Sequence, residues 1–329
     1  MKTVNLLFTG GFDSTFRLCQ LSRMEGVTVQ PLYLLFTPMR ANEKKEIEAQ
    51  EKIISLLKEK PETKAVILSP IRINEKDLPV EPEYDDAYIK WRPSQRIPGQ
   101  YRSLGKLALL YSPLEVGREG PTLRNRQRGL KVGKTRKFLE DHGVKFIEQA
   151  DGSVLTNFKH AEPGLEMLFG RYRYPILGIP ETAMVPFIKE WGYEDVFKHT
   201  WTCDNGGDKP CGVCHNCETK WDSGLLNFFA PFAQRNHEIK RFLEELDKRK
   251  LPSPVELVGT WELADMFTYF INHNFSLDNT SSFLAQPASV QPISYKFQTM
   301  RREFAIQYFK ELIQAWDQGR KEEYLATLN

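Results

Sequence analysis

The fold class is decided by residues 4–21, VNLLFTGGFDSTFRLCQL. Residues 4–8 are mostly apolar, as in a buried strand, and residues 14–24 have the pattern of a helix. Between them, Gly10 and Gly11 permit a tight turn, because glycine has no Cβ to restrict the backbone. The segment therefore predicts a strand, a turn and a helix that begins close to the turn.

The sequence after this segment continues the alternation of strand and helix. Residues 29–36 and 65–68 are apolar, and between them residues 42–60 form a charged stretch whose apolar residues recur close to a 3.6-residue period. Strands that alternate with helices form a parallel sheet covered by helices. We therefore expect an α/β fold with a parallel sheet and flanking helices.

The middle of the chain is less regular. Residues 74–99 are rich in Pro, Asp, Glu and Tyr and show no clear period, which predicts a long loop that borders the functional site. Residues 101–111 have a helical pattern. The basic stretch at residues 118–137 is either a solvated face or a contact with phosphate or nucleotide.

The last third of the chain changes in character. A short strand at residues 176–177 and a helix at residues 182–191 precede a cysteine cluster, and the pattern is helical from residue 238 onward. We predict one domain over residues 1–237, which includes the metal-binding segment 203–217, and a C-terminal helical extension over residues 238–329.

Composition narrows the setting in which the protein works. The 45 Lys and Arg against 43 Asp and Glu give a net charge of +2, so no overall field favours nucleic acid or an anionic membrane. No apolar run approaches the roughly 18 residues of a membrane span, and the apolar start is too short for a signal peptide. Four of the five cysteines fall within residues 203–217, which favours metal binding in a reducing compartment. We expect a cytoplasmic protein.

The glycine pair indicates an anion-binding site. Glycines bring backbone N–H groups close to an anion, and a helix start adds further donors and the positive end of the helix dipole. Hydroxyls of Thr9, Ser14 and Thr15 can donate to the same oxygens. The sequence has neither the Walker A lysine motif nor G-x-G-x-x-G. The simpler alternative is an ordinary turn in which Ser14 caps the helix.

The segment TGGFDST resembles the SGGxDS(T) loop of the PP-loop ATP pyrophosphatases, which have a HUP-like α/β fold. Thr9 stands where that family usually has serine, and the hydroxyl is kept. The resemblance implies an adenylate-forming enzyme that uses ATP and Mg²⁺ and releases AMP and pyrophosphate, with Asp13 and Ser14 in the catalytic roles. The ATP phosphates would be held by Thr9, Gly10, Gly11, Phe12, Asp13, Ser14 and Thr15.

The second motif is a cysteine cluster with the spacing C-x7-C-x2-C-x2-C, formed by Cys203, Cys211, Cys214 and Cys217. Short C-x2-C turns let thiolates converge on one ion, and Zn²⁺ is the first candidate. An iron–sulfur cluster is the rival. Four thiolates close the shell, so the metal is expected to be structural, His215 to be exposed, and Cys19 to be a core residue rather than a nucleophile.

The order of the two motifs is similar to that in 7-cyano-7-deazaguanine synthases, the QueC family, and the likeness covers roughly residues 1–220. That family holds zinc through its cysteines. The chain departs from the family at Gln100 and Tyr101, which replace Arg-Asn, at Glu181, which replaces a lysine, and around Arg40. By this resemblance the substrate end would include Arg40, Gln100, Tyr101 and Arg102.

The resemblance also implies a reaction. The carboxylate of 7-carboxy-7-deazaguanine, or of a close analogue, would be adenylated and then attacked by an amine to give an amide or nitrile. The amine is either ammonia or a group on a partner protein, the latter as in QueC-like members of bacterial antiphage operons. The C-terminal helices would then bind that partner, or serve as a dimer contact or lid.

Two other classes of function stay open. A degenerate PP-loop module would bind nucleotide without turnover. Sulfur-transfer relatives that modify tRNA usually need a free catalytic cysteine, and Cys19 is the one cysteine of the sequence outside the cluster.

Overall fold

The computed structural model of the protein describes residues 2–36, 40, 42–92, 99–118, 132–204, 209–222, 224–225, 231–249, 263–272 and 299–320. They divide into two compact units. Unit 1 comprises Met1–Thr202 and Trp221–Leu225, and unit 2 comprises Cys203–Lys220 and Leu226–Asn329. Most of the predicted basic stretch, residues 119–131, lies outside the described residues.

Unit 1 is built on a six-stranded, wholly parallel sheet. Its strands run in the order β3-β2-β1-β5-β8, and β4 pairs with β2 beyond the end of β3. A separate antiparallel hairpin is formed by β6 and β7. The strands are β1 (Lys2–Leu7), β2 (Val27–Leu35), β3 (Val66–Ile67), β4 (Ile71–Asn74), β5 (Leu114–Val116), β6 (Lys145–Glu148), β7 (Val154–Asn157) and β8 (Tyr172–Arg173).

Helices flank this sheet, so the predicted α/β fold with a parallel sheet is confirmed. The helices of unit 1 are α1 (Phe12–Ser22), α2 (Glu43–Glu59), α3 (Pro82–Trp91), α4 (Gln100–Leu110), α5 (Lys134–Asp141), α6 (Leu165–Phe169), α7 (Glu181–Glu190) and α8 (Glu194–Phe197). Part of the core fills with apolar side chains of β2, β5, α3, α4 and α6. The strands and helices predicted for residues 4–68, and the helices predicted at 101–111 and 182–191, match these elements.

Two local predictions were wrong. Residues 74–99 are not one loop, because a 3-10 turn at Glu75–Asp77 and helix α3 lie within them. The buried residues of α3 are Tyr84, Ala87 and Trp91, a helical spacing that was obscured because the stretch is rich in proline and acidic residues. Residues 176–177 are buried but form a turn, and the strand of this region is β8, four residues earlier.

Unit 2 contains the cysteine cluster and a set of helices. The helices are α9 (His215–Asp222), whose last two residues fall in unit 1, α10 (Pro231–Arg249), α11 (Leu263–Asn272) and α12 (Thr299–Asp317). Phe309 of α12 lies 5.4 Å from Phe267 and 5.6 Å from Phe270, measured between ring centroids. The predicted helical character beyond residue 238 is thus confirmed for the described segments.

Unit 2 contains both the cysteine segment and the later helices. The predicted domain boundary between residues 237 and 238 stays a prediction. Within the described ranges, no helix has both the length and the apolar character that a membrane span requires.

The strand order creates a position suited to a ligand. Strand β1 pairs with β2 on one side and with β5 on the other, so the chain leaves β1 where the sheet order reverses. In parallel α/β sheets, ligands bind outside the carboxyl ends of the strands at such a switch point. The glycine pair follows β1 directly at this edge.

Candidate functional site

The glycine loop, residues 9–15, begins after Phe8, whose N–H donates to the Leu32 carbonyl at 2.8 Å. Gly10 has a φ of +75°, a conformation that side chains other than glycine rarely adopt. Its carbonyl accepts from the Trp201 N–H at 2.9 Å. Helix α1 then begins, with its first helical bond from the Thr15 N–H to the Gly11 carbonyl at 3.0 Å.

Close packing against α2 fixes this turn. A Cβ on Gly10 would lie 3.0 Å from the Glu46 carbonyl oxygen, 3.1 Å from Ala49 Cβ and 3.2 Å from the Gln50 nitrogen. Such distances are too short for a side chain without a shift of α2. Gly10 is therefore required both by its backbone conformation and by the space around it.

The loop hydroxyls bond to the loop itself. Thr9 Oγ1 lies 3.3 Å from Ser14 Oγ and accepts from the Gly11 N–H at 3.3 Å. Ser14 Oγ donates to the Gly11 carbonyl at 3.2 Å, so Ser14 does not cap α1. The N-cap is Gly11, which has no side chain to cap the helix. Thr15 Oγ1 is buried and has no hydrogen-bond partner among the residues that the structure describes.

Strand β5 holds the loop from its other side. A Cβ on Gly117 would lie 2.8 Å from Ser14 Cα and 3.0 Å from the Ser14 nitrogen. One turn into α1, the Arg17 guanidinium donates hydrogen bonds of 2.8 and 3.2 Å to the Glu115 carboxylate, and both side chains are largely buried. The start of α1 is therefore fixed against the carboxyl end of β5.

The predicted substrate residues on α4 point to different surroundings. Gln100 is exposed, whereas Tyr101 is buried with its ring 4.7 Å from that of Phe169. Arg102 pairs with Asp85 at 2.6 Å, and this hydrogen bond lowers the pKa of Asp85 to about 2. The structure therefore does not bring the three side chains together.

The fourth predicted substrate residue, Arg40, belongs to a buried polar network. Its Nη2 atom contacts Glu46 Oε2 at 2.6 Å and Tyr33 Oη at 3.0 Å, and Asn42 donates to Glu46 Oε1 at 2.9 Å. Burial raises the pKa of both Glu46 and Tyr33, while Arg40 opposes the rise. Arg40 thus contacts the first turn of α2, the helix against which Gly10 packs.

The four cysteines come together in unit 2 as the spacing predicted. All four are buried, and their Sγ atoms lie within 4.8 Å of one another. A tetrahedral zinc site with bonds of about 2.3 Å has sulfur atoms about 3.8 Å apart. Backbone N–H groups of Cys211, Val213 and Cys214 donate to sulfur at 3.2 to 3.4 Å. The donor set and its spacing fit a metal ion such as zinc.

Helix α10 caps the turn between the second and third cysteines, which we name the cysteine knuckle (residues 211–214). The carbonyl groups of knuckle residues 211, 212 and 213 each accept a hydrogen bond from a side chain of α10. The donors are Asn236 Nδ2 at 3.0 Å, His237 Nδ1 at 3.3 Å and Lys240 Nζ at 3.3 Å, respectively. The His237 ring nitrogen must carry a proton to donate to this carbonyl.

Charge and shape complete this contact. Lys240 also pairs with Glu218 at 2.6 Å, with both side chains largely buried. Gly212 has a φ of +79°, and a Cβ there would overlap the Ala233 carbonyl oxygen. The knuckle therefore packs directly on α10, and Lys240 bonds both to the knuckle and to α9.

Two smaller predictions concern histidine and the fifth cysteine. His215 is exposed, as expected of a residue that is not a ligand. Cys19 is fully buried, and burial raises the pKa of its thiol well above the ordinary value. A thiol held neutral in the core is a poor nucleophile, which agrees with the prediction of a core residue.

Several contributors to these sites were not singled out from the sequence. Gly117 follows the three-residue strand β5, whose central Glu115 gives it no apolar pattern. The capping residues Asn236, His237 and Lys240 carry no local signal, because their partners lie more than 20 residues earlier in the chain.

Comparison with known proteins gave no match to a family model, to a curated protein or to a solved structure. The residues and their geometry therefore carry the functional argument.

Proposed function

We propose that the protein is an AMP-forming enzyme of the QueC-like PP-loop type. It would adenylate the carboxylate of 7-carboxy-7-deazaguanine or a close analogue. The observation that carries the proposal is the glycine loop, which follows the first strand at the switch point of a parallel sheet. Gly10 of the loop packs closely against α2, and Gly117, which follows β5, packs against Ser14 of the loop.

The loop is suited to phosphate. The start of α1 offers backbone donors and the positive end of a helix dipole, and its glycine N-cap lets an anion approach closely. Thr9 and Ser14 can turn their hydroxyls from each other toward phosphate oxygens. Mg²⁺ bound with ATP would neutralise part of the phosphate charge, and Asp13 in the first turn of α1 is the residue we assign to that ion.

The chemistry needs positioning more than a nucleophilic side chain. A carboxylate oxygen of the acid attacks the α-phosphorus of ATP, the bond to the β-phosphate oxygen breaks, and pyrophosphate leaves. An amine then attacks the acyl carbon and AMP leaves, because the mixed anhydride has a far better leaving group than the carboxylate. This gives an amide; for a nitrile, a second ATP would adenylate the amide oxygen with loss of pyrophosphate, and AMP would carry that oxygen away. The amine is ammonia or a group on a partner protein, and the C-terminal helices are where we would place that partner.

For the cysteine cluster we propose a structural Zn²⁺ held by Cys203, Cys211, Cys214 and Cys217. Four thiolates leave no position open for a substrate, and α10 covers the knuckle. The ion would supply no reaction step and would hold unit 2 together. A thiolate site of this kind suits the reducing cytoplasm.

The test of the function is product analysis. With ATP, Mg²⁺, 7-carboxy-7-deazaguanine and ammonium, the protein should release AMP and pyrophosphate, and mass spectrometry should find an amide or nitrile. Asp13→Asn should lower the rate by about 100-fold, as for loss of a charge-stabilising group. Asp86→Asn, the same change at an exposed position of α3, is the matched control and should have no effect.

A further inference from the structure

The glycine loop packs against the first turns of α2. The main chain of α2 at Glu46 and Gln50 comes within 3.0 and 3.2 Å of the point where a Cβ of Gly10 would lie. Gly10 therefore keeps its position only while this part of α2 keeps its own, because closely packed atoms transmit a shift to their neighbours. Whatever fixes the start of α2 also fixes the turn that leads into α1.

The start of α2 is tied to β2 by the side chain of Glu46. Its Oε2 atom accepts from the Tyr33 hydroxyl and from Arg40 Nη2, the latter at 2.6 Å. Its Oε1 atom accepts from Asn42 Nδ2 at 2.9 Å. Tyr33 lies in β2, and both Tyr33 and Glu46 are buried. The carboxylate therefore joins the strand, the connection that follows it and the first turn of the helix.

The negative charge of Glu46 allows this junction to form. A carboxylate has only acceptors, so it takes all three hydrogen bonds at once, and the ion pair with Arg40 strengthens them. An amide of the same shape would turn its NH2 group toward Asn42 or toward Arg40. Two donors cannot bond to each other, so a neutral side chain would loosen the start of α2.

We propose that Glu46 is a positioning residue for ATP. Held by Tyr33, Arg40 and Asn42, it fixes α2 and thereby keeps the glycine loop in the conformation that binds the phosphates. This inference rests on the proposed function and adds a residue that acts through Gly10 without touching the substrate. It also gives Arg40, which the family resemblance places at the substrate end, a role on the ATP side.

The first test is calorimetric titration with ATP and Mg²⁺, together with steady-state kinetics in which ATP and 7-carboxy-7-deazaguanine are varied in turn. Glu46→Gln should weaken ATP binding and raise the KM for ATP about 10-fold or more, because a small displacement of a positioning group has a steep effect. The KM for the acid should stay within about twofold. Glu51→Gln is the matched control: it makes the same change on α2 at an exposed glutamate that pairs with Arg72, and it should match the unaltered protein.

Tyr33→Phe is the second variant, and it removes one donor while keeping the ring. It should weaken ATP binding about 2- to 10-fold. Combined with Glu46→Gln it should add little, because the hydroxyl acts through the carboxylate. A merely structural role would lower the melting temperature and leave the ATP affinity of the folded protein unchanged. Circular dichroism gives the temperature at which the variants are folded, and if Glu46→Gln does not fold, the ATP affinity of Tyr33→Phe decides alone.

Each outcome bears on a different claim. If the unaltered protein neither binds ATP nor forms AMP, the proposed function fails and the inference falls with it. If it does both, and Glu46→Gln and Tyr33→Phe bind ATP equally well, the function stands and the inference is wrong. A rise confined to the KM for the acid would place the network at the substrate end and would also overturn it. So would fully additive losses in the double variant, since Tyr33 would then not act through Glu46.

Discussion

The glycine loop and the cysteine knuckle are both tight turns, and they use their polar groups differently. Each has a glycine with positive φ, Gly10 at +75° and Gly212 at +79°, packed on a neighbouring helix. In the knuckle, N–H groups point at sulfur and α10 side chains cap three carbonyls. At the loop, a glycine begins the helix without a capping side chain. The polar groups of the knuckle are thus hydrogen-bonded within the protein, as in a structural metal site. The glycine loop instead places the N-terminus of α1 where a ligand can bind.

Removing the metal that we propose for the four cysteines should have the largest effect on stability. The effect should be confined to the cysteine knuckle and α10. Structural zinc sites contribute about 10–16 kcal/mol of apparent binding free energy in small domains, so a strong chelator or Cys214→Ser should unfold the α10 contact. Hydrogen exchange should show lost protection in α10. Elemental analysis should give one metal per chain, and Cys19→Ala, the control, should keep it.

Alanine at the two glycines measures how tightly each turn is packed. Gly212→Ala should destabilise by about 2–5 kcal/mol, the sum of left-handed strain and a clash with α10. Gly10→Ala should cost less, because its shortest contact is 3.0 Å. Gly192→Ala is the matched control: its φ is +69°, and among the described residues no atom beyond its chain neighbours lies within 4 Å of an added Cβ, so strain alone of about 1–2 kcal/mol remains.

Chemical denaturation of the three glycine variants gives this order directly. An equal loss of stability in Gly212→Ala and Gly192→Ala would mean that α10 does not pack closely against the knuckle at Gly212.

The capping side chains test whether α10 stabilises the metal centre. Asn236→Ala leaves the buried Cys211 carbonyl without that donor, which should cost about 1–3 kcal/mol and speed metal release to a chelator. Gln307→Ala removes an exposed hydrogen bond on α12 and should change neither quantity. Unchanged release from Asn236→Ala would show that the cap is incidental to metal binding.

Ser14→Ala should have the smallest effect on stability and a selective effect on turnover. Its hydroxyl bonds only weakly within the loop, at 3.2 and 3.3 Å, so unfolding should change by less than about 1 kcal/mol. AMP formation should fall about tenfold or more if the hydroxyl contacts a phosphate. Ser55→Ala, on the exposed face of α2, controls for the substitution. Full activity in Ser14→Ala would assign that hydroxyl to the turn alone.

The sequence predicted those features that have a local signal. The period of apolar residues located α2, and the glycine pair and the cysteine spacing located the two turns. The helix α3 was missed because its few buried residues, Tyr84, Ala87 and Trp91, lie in a stretch rich in proline and acidic residues. The pairing of Asn236 with Cys211, and the contact of Gly117 with Ser14, depend on folding of distant segments and leave no trace in a local pattern.

We propose that the glycine loop binds ATP so that the α-phosphorus is attacked. The direct test incubates the metal-loaded protein with ATP labelled at the α-phosphate, Mg²⁺, 7-carboxy-7-deazaguanine and ammonium. We expect labelled AMP, formed with one pyrophosphate per AMP and dependent on the acid. Labelled ADP, or no labelled product from metal-loaded protein, would contradict it.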